Sequence, residues 1–115
     1  MRHDQVLLLD MLLAARDIRE FTAGLSEEAF RANRMAQSAV IREFQVIGEA
    51  ARQVSVETQE EYSTIAWRQI SGMRNRMIHE YFDVRLDVVW DAIQNDIPDL
   101  IQALEKIVPP DNHDS

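Results

Sequence analysis

The chain has 115 residues, which is the size of one domain with a real hydrophobic core. It has no cysteine and only three scattered histidines, which excludes disulfides and thiolate metal sites and leaves no local set of metal ligands. The formal net charge of −8 argues against non-specific attraction of nucleic acid to the whole surface. The longest apolar run, residues 6–15, is interrupted by Asp10 and is unlike a signal peptide or a membrane span. We therefore expect a metal-free cytoplasmic protein.

The first half of the chain predicts three helices. Apolar residues recur at three- and four-residue steps over residues 3–23, which predicts a first helix that ends at Gly24. Ser26 is the expected N-cap of a second helix, and its apolar stripe extends to about residue 54, which would make it the longest helix of the molecule. Residues 55–62 predict a short third helix.

The second half predicts two more helices. One opens at Trp67 and runs to about Tyr81. The last runs from about Leu86 to about residue 107, and Pro98 within it predicts a kink or a local break. Because strand signals are nearly absent, we predict an all-α, up-and-down bundle of four to five helices. Residues 1–108 would form a single helical domain, and residues 109–115 a disordered tail.

Three residues of the predicted helices have both a structural and a functional interpretation. Glu49, within the small-residue stretch GEAA, is expected to pair with an arginine across the bundle rather than to act in catalysis. Trp67 and Trp90 are expected to be core anchors rather than platforms for stacked bases, since each lies on an apolar stripe.

Residues 72–82, GMRNRMIHEYF, bring four reactive or phosphate-binding side chains close together in the chain: Arg74, Asn75, His79 and Tyr81. Residues 62–79 contain three arginines and no acidic residue, so this window has a charge of +3 and the rest of the chain −11. A polyanion would have to be bound here. The alternative is that a solvated helix face lacks acids by chance.

The spacing of these residues leaves two geometries open. Asn75 and His79 are four residues apart and share a helix face, whereas five steps rotate Arg74 about 140° away from His79. Either Arg74 reaches around its helix, or a second copy of the helix completes the site about a two-fold axis. A structural alternative is also open, in which His79 interacts with the dipole at a helix C-terminus and Arg74 is solvated.

RNA cleavage is a reaction that these side chains could perform without a metal. A neutral imidazole can take the proton from a ribose 2′-hydroxyl, or an imidazolium can protonate the leaving 5′-oxygen. An arginine stabilises the added negative charge at phosphorus, and Asn75 would orient the imidazole or the phosphate. DNA lacks the 2′-hydroxyl and should not be cut.

The stretch AWRQISGMRNRMIHEYFDV, with GEAA upstream and DVVWDAIQNDIPDL downstream, resembles the HepT-like HEPN family. The resemblance covers roughly residues 40–105, and the first helix is generic. Its central pattern is Arg-x-x-x-x-His-x-Tyr, preceded by Trp-Arg and Gly, which is far more specific than the spacing of Arg and His alone.

The resemblance implies a HEPN-type homodimer that acts as the toxin of a toxin–antitoxin pair, a metal-independent endoribonuclease without a cofactor. The family's catalytic roles fall on Arg74 and His79, and its adjacent polar position on Asn75. In similar proteins the antitoxin is an MntA-type nucleotidyltransferase that transfers AMP from ATP to the motif tyrosine, here Tyr81. The alternatives are a non-catalytic dimer that binds and scaffolds a nucleotidyltransferase and a purely structural helical dimer.

Overall fold

A computed structural model describes residues 2–72 and 85–109 of the chain. Helix α1, Arg2–Thr22, is the first element. Its inward side is made of residues that recur at helical spacing and are fully buried, among them Met11, Ala15 and Ile18. The helix ends as predicted at Gly24, whose φ of +79° lies in the left-handed region that glycine adopts without steric cost.

The predicted long second helix is two helices, so this part of the prediction was wrong. Helix α2, Glu27–Arg31, begins at the predicted N-cap Ser26, whose side chain accepts a hydrogen bond from the backbone of Ala29 at 3.0 Å. Helix α3, Arg34–Gln53, begins at a second N-cap, Asn33. The Asn33 side chain accepts from the backbone N–H of Ala36 at 2.9 Å, which offers the chain an alternative to a continuous helix. At 21 residues, α1 is longer than α3 at 20.

Helices α1 and α3 pack side by side with opposite directions. The start of α1 is tied to the residue that follows α3, because the Asp4 carboxylate accepts hydrogen bonds from the backbone N–H of Ser55 at 3.1 Å and from the Thr58 hydroxyl at 2.6 Å. Ser55 is also the N-cap of the short helix α4, Val56–Glu61, close to the range predicted for it. Asp4, only 3 % exposed, therefore joins α1 to the N-cap and first turn of α4 through hydrogen bonds to its carboxylate.

The last part of the chain completes the bundle. Residues 67–72 are helical and form the described part of helix α5. Helix α6, Leu86–Asp91, continues through a π-helical segment, Ala92–Asp96, into helix α7, Ile97–Ile107. The break predicted from Pro98 is this π-helical segment, in which the helix is wider. Pro98 lies in the first turn after the segment and has no backbone N–H to donate to the preceding turn.

One hydrophobic core holds these helices together. Helix α7 packs against α1, and an exposed ion pair of 2.8 Å between Arg16 and Glu105 links the same two helices. The ring of Trp90 lies 5.3 Å from that of Phe30, so α6 also packs on α2. The predicted all-α bundle is confirmed. The predicted tail falls largely on residues 110–115, which lie outside the described residues; a dimer stays a prediction.

Candidate functional site

The four predicted site residues, Arg74, Asn75, His79 and Tyr81, lie outside the described residues. Their assignment therefore stays a prediction from the sequence. The described structure ends at Gly72 on the N-terminal side of this segment and resumes at Arg85 on the other. The described residues define the start of α5, which leads into this segment, and the surfaces of the helices that pack on the start of α5.

The start of α5 is anchored in the core, as predicted for Trp67. This side chain is 8 % exposed, and its indole N–H donates a hydrogen bond to the carbonyl of Tyr62 at 3.1 Å. Buried indole donors need such a partner, so the ring is fixed both by packing and by a polar contact. Arg68, the next residue and the first arginine of the acid-free window, is exposed. Trp90 is partly buried and packs against the core through its contact with Phe30, in agreement with its predicted structural role.

A pocket of about 230 Å³ lies where α5 meets α3 and α7. Its floor is apolar and includes Phe44, Ile47 and Ile70, and the carboxylates of Asp96 and Asp99 line its rim. Burial, together with the nearby charges of Asp91 and Asp99, raises the pKa of Asp96 above the ordinary value of an aspartate. A negative rim of this kind repels phosphate, so this pocket is a poor site for RNA.

A larger and more polar cleft, of about 590 Å³, lies between α1 and α3 on the outer side of the bundle. Its lining combines charged and amide side chains with a few apolar ones: Leu7, Asp10, Arg42, Gln45, Val46, Glu49, Ala50 and Gln53. Arg42 makes no ion pair within 4 Å with any residue in the described ranges. Its guanidinium is therefore available to a group from outside the chain.

Glu49 is half-buried in this cleft and is bound to its own helix. One carboxylate oxygen, Oε2, accepts from Arg52 at 2.6 Å and from the Gln53 amide at 3.1 Å. The structural interpretation of Glu49 agrees with these contacts, although Arg52 belongs to α3 itself. The predicted pairing of Glu49 with an arginine on another helix stays a prediction.

No pattern in the sequence groups Asp10, Arg42 and Gln45. They lie on two helices more than thirty positions apart in sequence, so only the packing of α1 on α3 brings them to one cleft. One signal was present: Asp10 interrupts the longest apolar run of the chain. In residues 2–72 and 85–109 no three His, Cys, Asp or Glu side chains are placed to hold a metal ion. None of the described helices has the length and apolar character needed to cross a membrane.

Comparison with known proteins identifies the family. Residues 11–107 match the model of the Ribonuclease HepT-like family. The chain is 33 % identical over 104 residues to a protein of Methanocaldococcus jannaschii named "Putative RNase", covering 90 % of this chain and 95 % of that protein. It is 36 % identical over 100 residues to the "Probable ribonuclease HepT" of Thermococcus cleftensis, covering 87 % and 91 % of the two chains. No solved structure matches closely enough to extend the comparison.

The family match is wider than the resemblance seen in the motif. It begins at residue 11 and so includes most of α1, which on sequence grounds looked generic. It also spans the whole segment from residue 72 to residue 82 that contains the predicted site. The chain belongs to the HepT-like ribonuclease family.

Proposed function

We propose that this protein is a metal-independent endoribonuclease, the toxin of a toxin–antitoxin pair, that cuts RNA at a site shared between two copies of the chain. The observation that supports it most is the match to a ribonuclease family over residues 11–107, a range that contains every residue of the predicted site. The curated relatives named above also have ribonuclease in their names.

In this proposal Arg74 and His79 are the catalytic pair. His79 exchanges a proton with the ribose 2′-hydroxyl or with the leaving 5′-oxygen, and Arg74 stabilises the negative charge that develops at phosphorus. Asn75 orients the imidazole or the phosphate. On an ideal helix five steps would place Arg74 about 140° from His79, so in this proposal a second copy supplies the missing partner of each pair.

The architecture of the described residues suits this use. The segment with the motif follows a helix whose first turn is fixed by the buried ring of Trp67 and its hydrogen bond to Tyr62. A catalytic pair has to be held by a rigid part of the structure, because small displacements of the reacting groups reduce the rate steeply. The exposed Arg68 adds positive charge six positions before Arg74 in the sequence, in a window free of acids.

The proposed regulation uses Tyr81. A nucleotidyltransferase of the MntA type would transfer AMP from ATP to its hydroxyl, forming a phosphodiester bond and releasing pyrophosphate. An adenylate two residues from His79 adds a negative phosphate and a bulky nucleoside where RNA phosphate has to enter. We expect the modification to block substrate binding without unfolding the bundle. Mass spectrometry after co-expression with the partner would show added adenylate in the wild type and none in Tyr81→Phe.

The nuclease itself is tested with purified, unmodified protein and total RNA in EDTA. We expect fragments with 2′,3′-cyclic phosphate and 5′-hydroxyl ends from the wild type and none from His79→Ala. His3→Ala is the matched control, because His3 is an exposed histidine that lies more than sixty positions before the motif in the sequence. Equal cleavage by the wild type and His79→Ala, or cleavage abolished by EDTA, would contradict the proposal.

A second function has an observation in its favour. The net charge of −8 and the acidic rim formed by Asp96 and Asp99 suit a basic protein surface better than RNA. On this alternative the chain is a non-catalytic dimer that scaffolds a nucleotidyltransferase. Intact RNA after incubation with an unmodified dimer, together with a stable complex with the transferase that His79→Ala leaves unchanged, would favour the scaffold.

A further inference from the structure

The pocket between α5 and α7, which we call the α5/α7 groove, has an apolar floor and one charged wall. Its volume is about 230 Å³, and α3 contributes Phe44 and Ile47 to the floor. On the α7 side it is lined by Asp96, the last residue of the π-helical segment, and by Asp99 in the first turn of α7. Gln69 lies on the α5 side. The groove therefore offers carboxylates, an amide and an apolar surface to one ligand.

The two carboxylates of the groove have no basic side chain beside them among the described residues. Neither Asp96 nor Asp99 makes an ion pair within 4 Å with any residue of the described ranges. The charges that act on Asp96 are those of Asp91 and Asp99, and both are negative. Burial and these like charges disfavour the ionised form of Asp96 and raise its pKa. A cation bound in the groove would offset this repulsion.

The spacing of the two carboxylates fits a ligand with a cation at each end. Side chains three residues apart on a helix are neighbours, with about 5–6 Å between their Cβ atoms. A chain of four methylenes separates two ammonium groups by nearly the same distance, about 6 Å. Its apolar middle would lie on Phe44 and Ile47 while each ammonium reaches one carboxylate. A single lysine side chain has one charge and would leave the second carboxylate uncompensated.

The volume of the groove also fits a ligand of this size. At about 30 Å³ for each water molecule of the liquid, 230 Å³ corresponds to roughly eight such molecules. A diamine with four methylenes has about six non-hydrogen atoms, each close to a water molecule in size. Both of its amines are protonated at neutral pH, as the amine of lysine is. Size and charge therefore point to the same class of ligand.

We propose that the α5/α7 groove binds a short aliphatic diamine, the chemical class of the polyamines, with its methylenes on the apolar floor and its ammonium groups on Asp96 and Asp99. The amide oxygen of Gln69 accepts from the bound ligand on the α5 side. The ligand thus connects α5, which leads into residues 73–84, with the last helix of the bundle. The proposal does not depend on the proposed nuclease, because none of these residues belongs to the predicted catalytic pair.

The test is an NMR titration of the ¹⁵N-labelled full chain with 1,4-diaminobutane at constant ionic strength, which keeps the screening of surface charges unchanged. The side-chain amide of Gln69 is the local reporter. We expect saturable shift changes confined to the groove. 1-Aminobutane, which has one charge, should bind about fivefold more weakly. 1,4-Butanediol, which has the same chain length and no charge, should cause no saturable change.

Variants of the two carboxylates locate the site. Asp96→Asn and Asp99→Asn should each weaken the binding of 1,4-diaminobutane about fivefold, and the double variant should remove the saturable shifts. Asp96→Asn removes a charge that its surroundings disfavour, so this variant should fold at least as stably as the wild type. Glu60→Gln is the matched control, because it removes one exposed negative charge from α4, outside the groove. It should leave the affinity unchanged.

Three results would overturn the proposal. The first is equal affinity of the wild type and the double variant for 1,4-diaminobutane, and the second is equal affinity of the wild type for this diamine and for 1-aminobutane. Shift changes spread over the whole acidic surface would count with the first, since they indicate a diffuse counterion atmosphere. The third is tighter binding of Nα-acetyl-lysine amide than of the diamine, which would assign the groove to a lysine side chain of a protein partner.

Discussion

On the two sides of helix α1, residues of the same types have opposite environments. On the inner side Met11 is fully buried and Asp4 is enclosed with hydrogen bonds to its carboxylate, whereas on the outer side Leu13 and Asp10 are exposed. The inner side follows the rule for cores, in which every buried polar group is paired. The outer side leaves apolar Leu13 and charged Asp10 in contact with water. Equal changes on the two sides should therefore have unequal effects.

The largest difference is expected between two apolar truncations. Met11→Ala leaves a cavity in the core and should lower the free energy of unfolding by about 2–5 kcal/mol. Leu13→Ala should lower it by less than about 1 kcal/mol in the monomer, because nearly half of that side chain is already in water. Urea unfolding at several protein concentrations measures both and separates any contribution of the dimer. Equal losses would mean that the outer side is part of the core.

The next largest difference is expected between two aspartates six residues apart. Asp4→Ala leaves the backbone N–H of Ser55 and the Thr58 hydroxyl without their acceptor and should destabilise the fold by about 1–3 kcal/mol. Asp10→Ala changes an exposed residue and should alter the free energy of unfolding by no more than about 0.5 kcal/mol. Thermal unfolding of both variants makes the comparison. An unaffected Asp4→Ala would show that the buried carboxylate does not tie α1 to α4.

Asn33 lies at the boundary between two helices that the apolar periodicity predicted as one. The apolar stripe runs from α2 into α3, so periodicity alone predicted a single helix; the hydrogen bond from Ala36 to the Asn33 side chain ends that continuity. By contrast, Gly24 and the N-cap Ser26 are local signals, and in the structure α1 stops just before Gly24 and α2 begins after Ser26, as they predicted. The partners of Asp4 are more than fifty positions away in sequence, and no local pattern predicts such a contact.

The cap at Asn33 should have an effect of about 1 kcal/mol. Asn33→Ala removes the acceptor for the first turn of α3 and should lower the free energy of unfolding by about that amount. Ser38→Ala is the matched control, since Ser38 is exposed within the same helix and alanine is a better helix former. Chemical denaturation of the two variants should show a loss in the first only. A neutral Asn33→Ala would mean that packing, not the cap, separates α2 from α3.

The smallest expected effect is a pH dependence of the fold's stability, which comes from Asp4 on the inner side of α1. Hydrogen bonds from the hydroxyls of Ser55 and Thr58 lower the pKa of Asp4 below its ordinary value. A carboxylate with a lowered pKa in the folded state stabilises the fold above its unfolded pKa of about 4, and that stability is lost as the pH falls through the folded pKa. As the pH is lowered from about 6 to about 3, the melting temperature of Asp4→Asn should fall less steeply than that of the wild type. Parallel curves would contradict this account of Asp4.

The predicted site itself depended on the sequence alone. The spacing of Arg74, Asn75 and His79 suggested RNA cleavage but left a structural interpretation open. The match to a ribonuclease family supports RNA cleavage. Helix periodicity describes one chain, so it could not decide whether a second copy completes the site. The exposed apolar side of α1 and the cleft between α1 and α3 are visible only after the helices are packed.

Mixing two inactive variants tests the central claim most directly. Arg74→Ala and His79→Ala are refolded together, so that about half of the dimers contain one chain of each, and RNA cleavage in EDTA is compared with each variant alone. If each site takes Arg74 from one copy and His79 from the other, every mixed dimer has one intact site, and about a quarter of the wild-type activity should return. A mixture as inactive as its components, with mixed dimers confirmed by native mass spectrometry, would contradict a ribonuclease site shared between two copies.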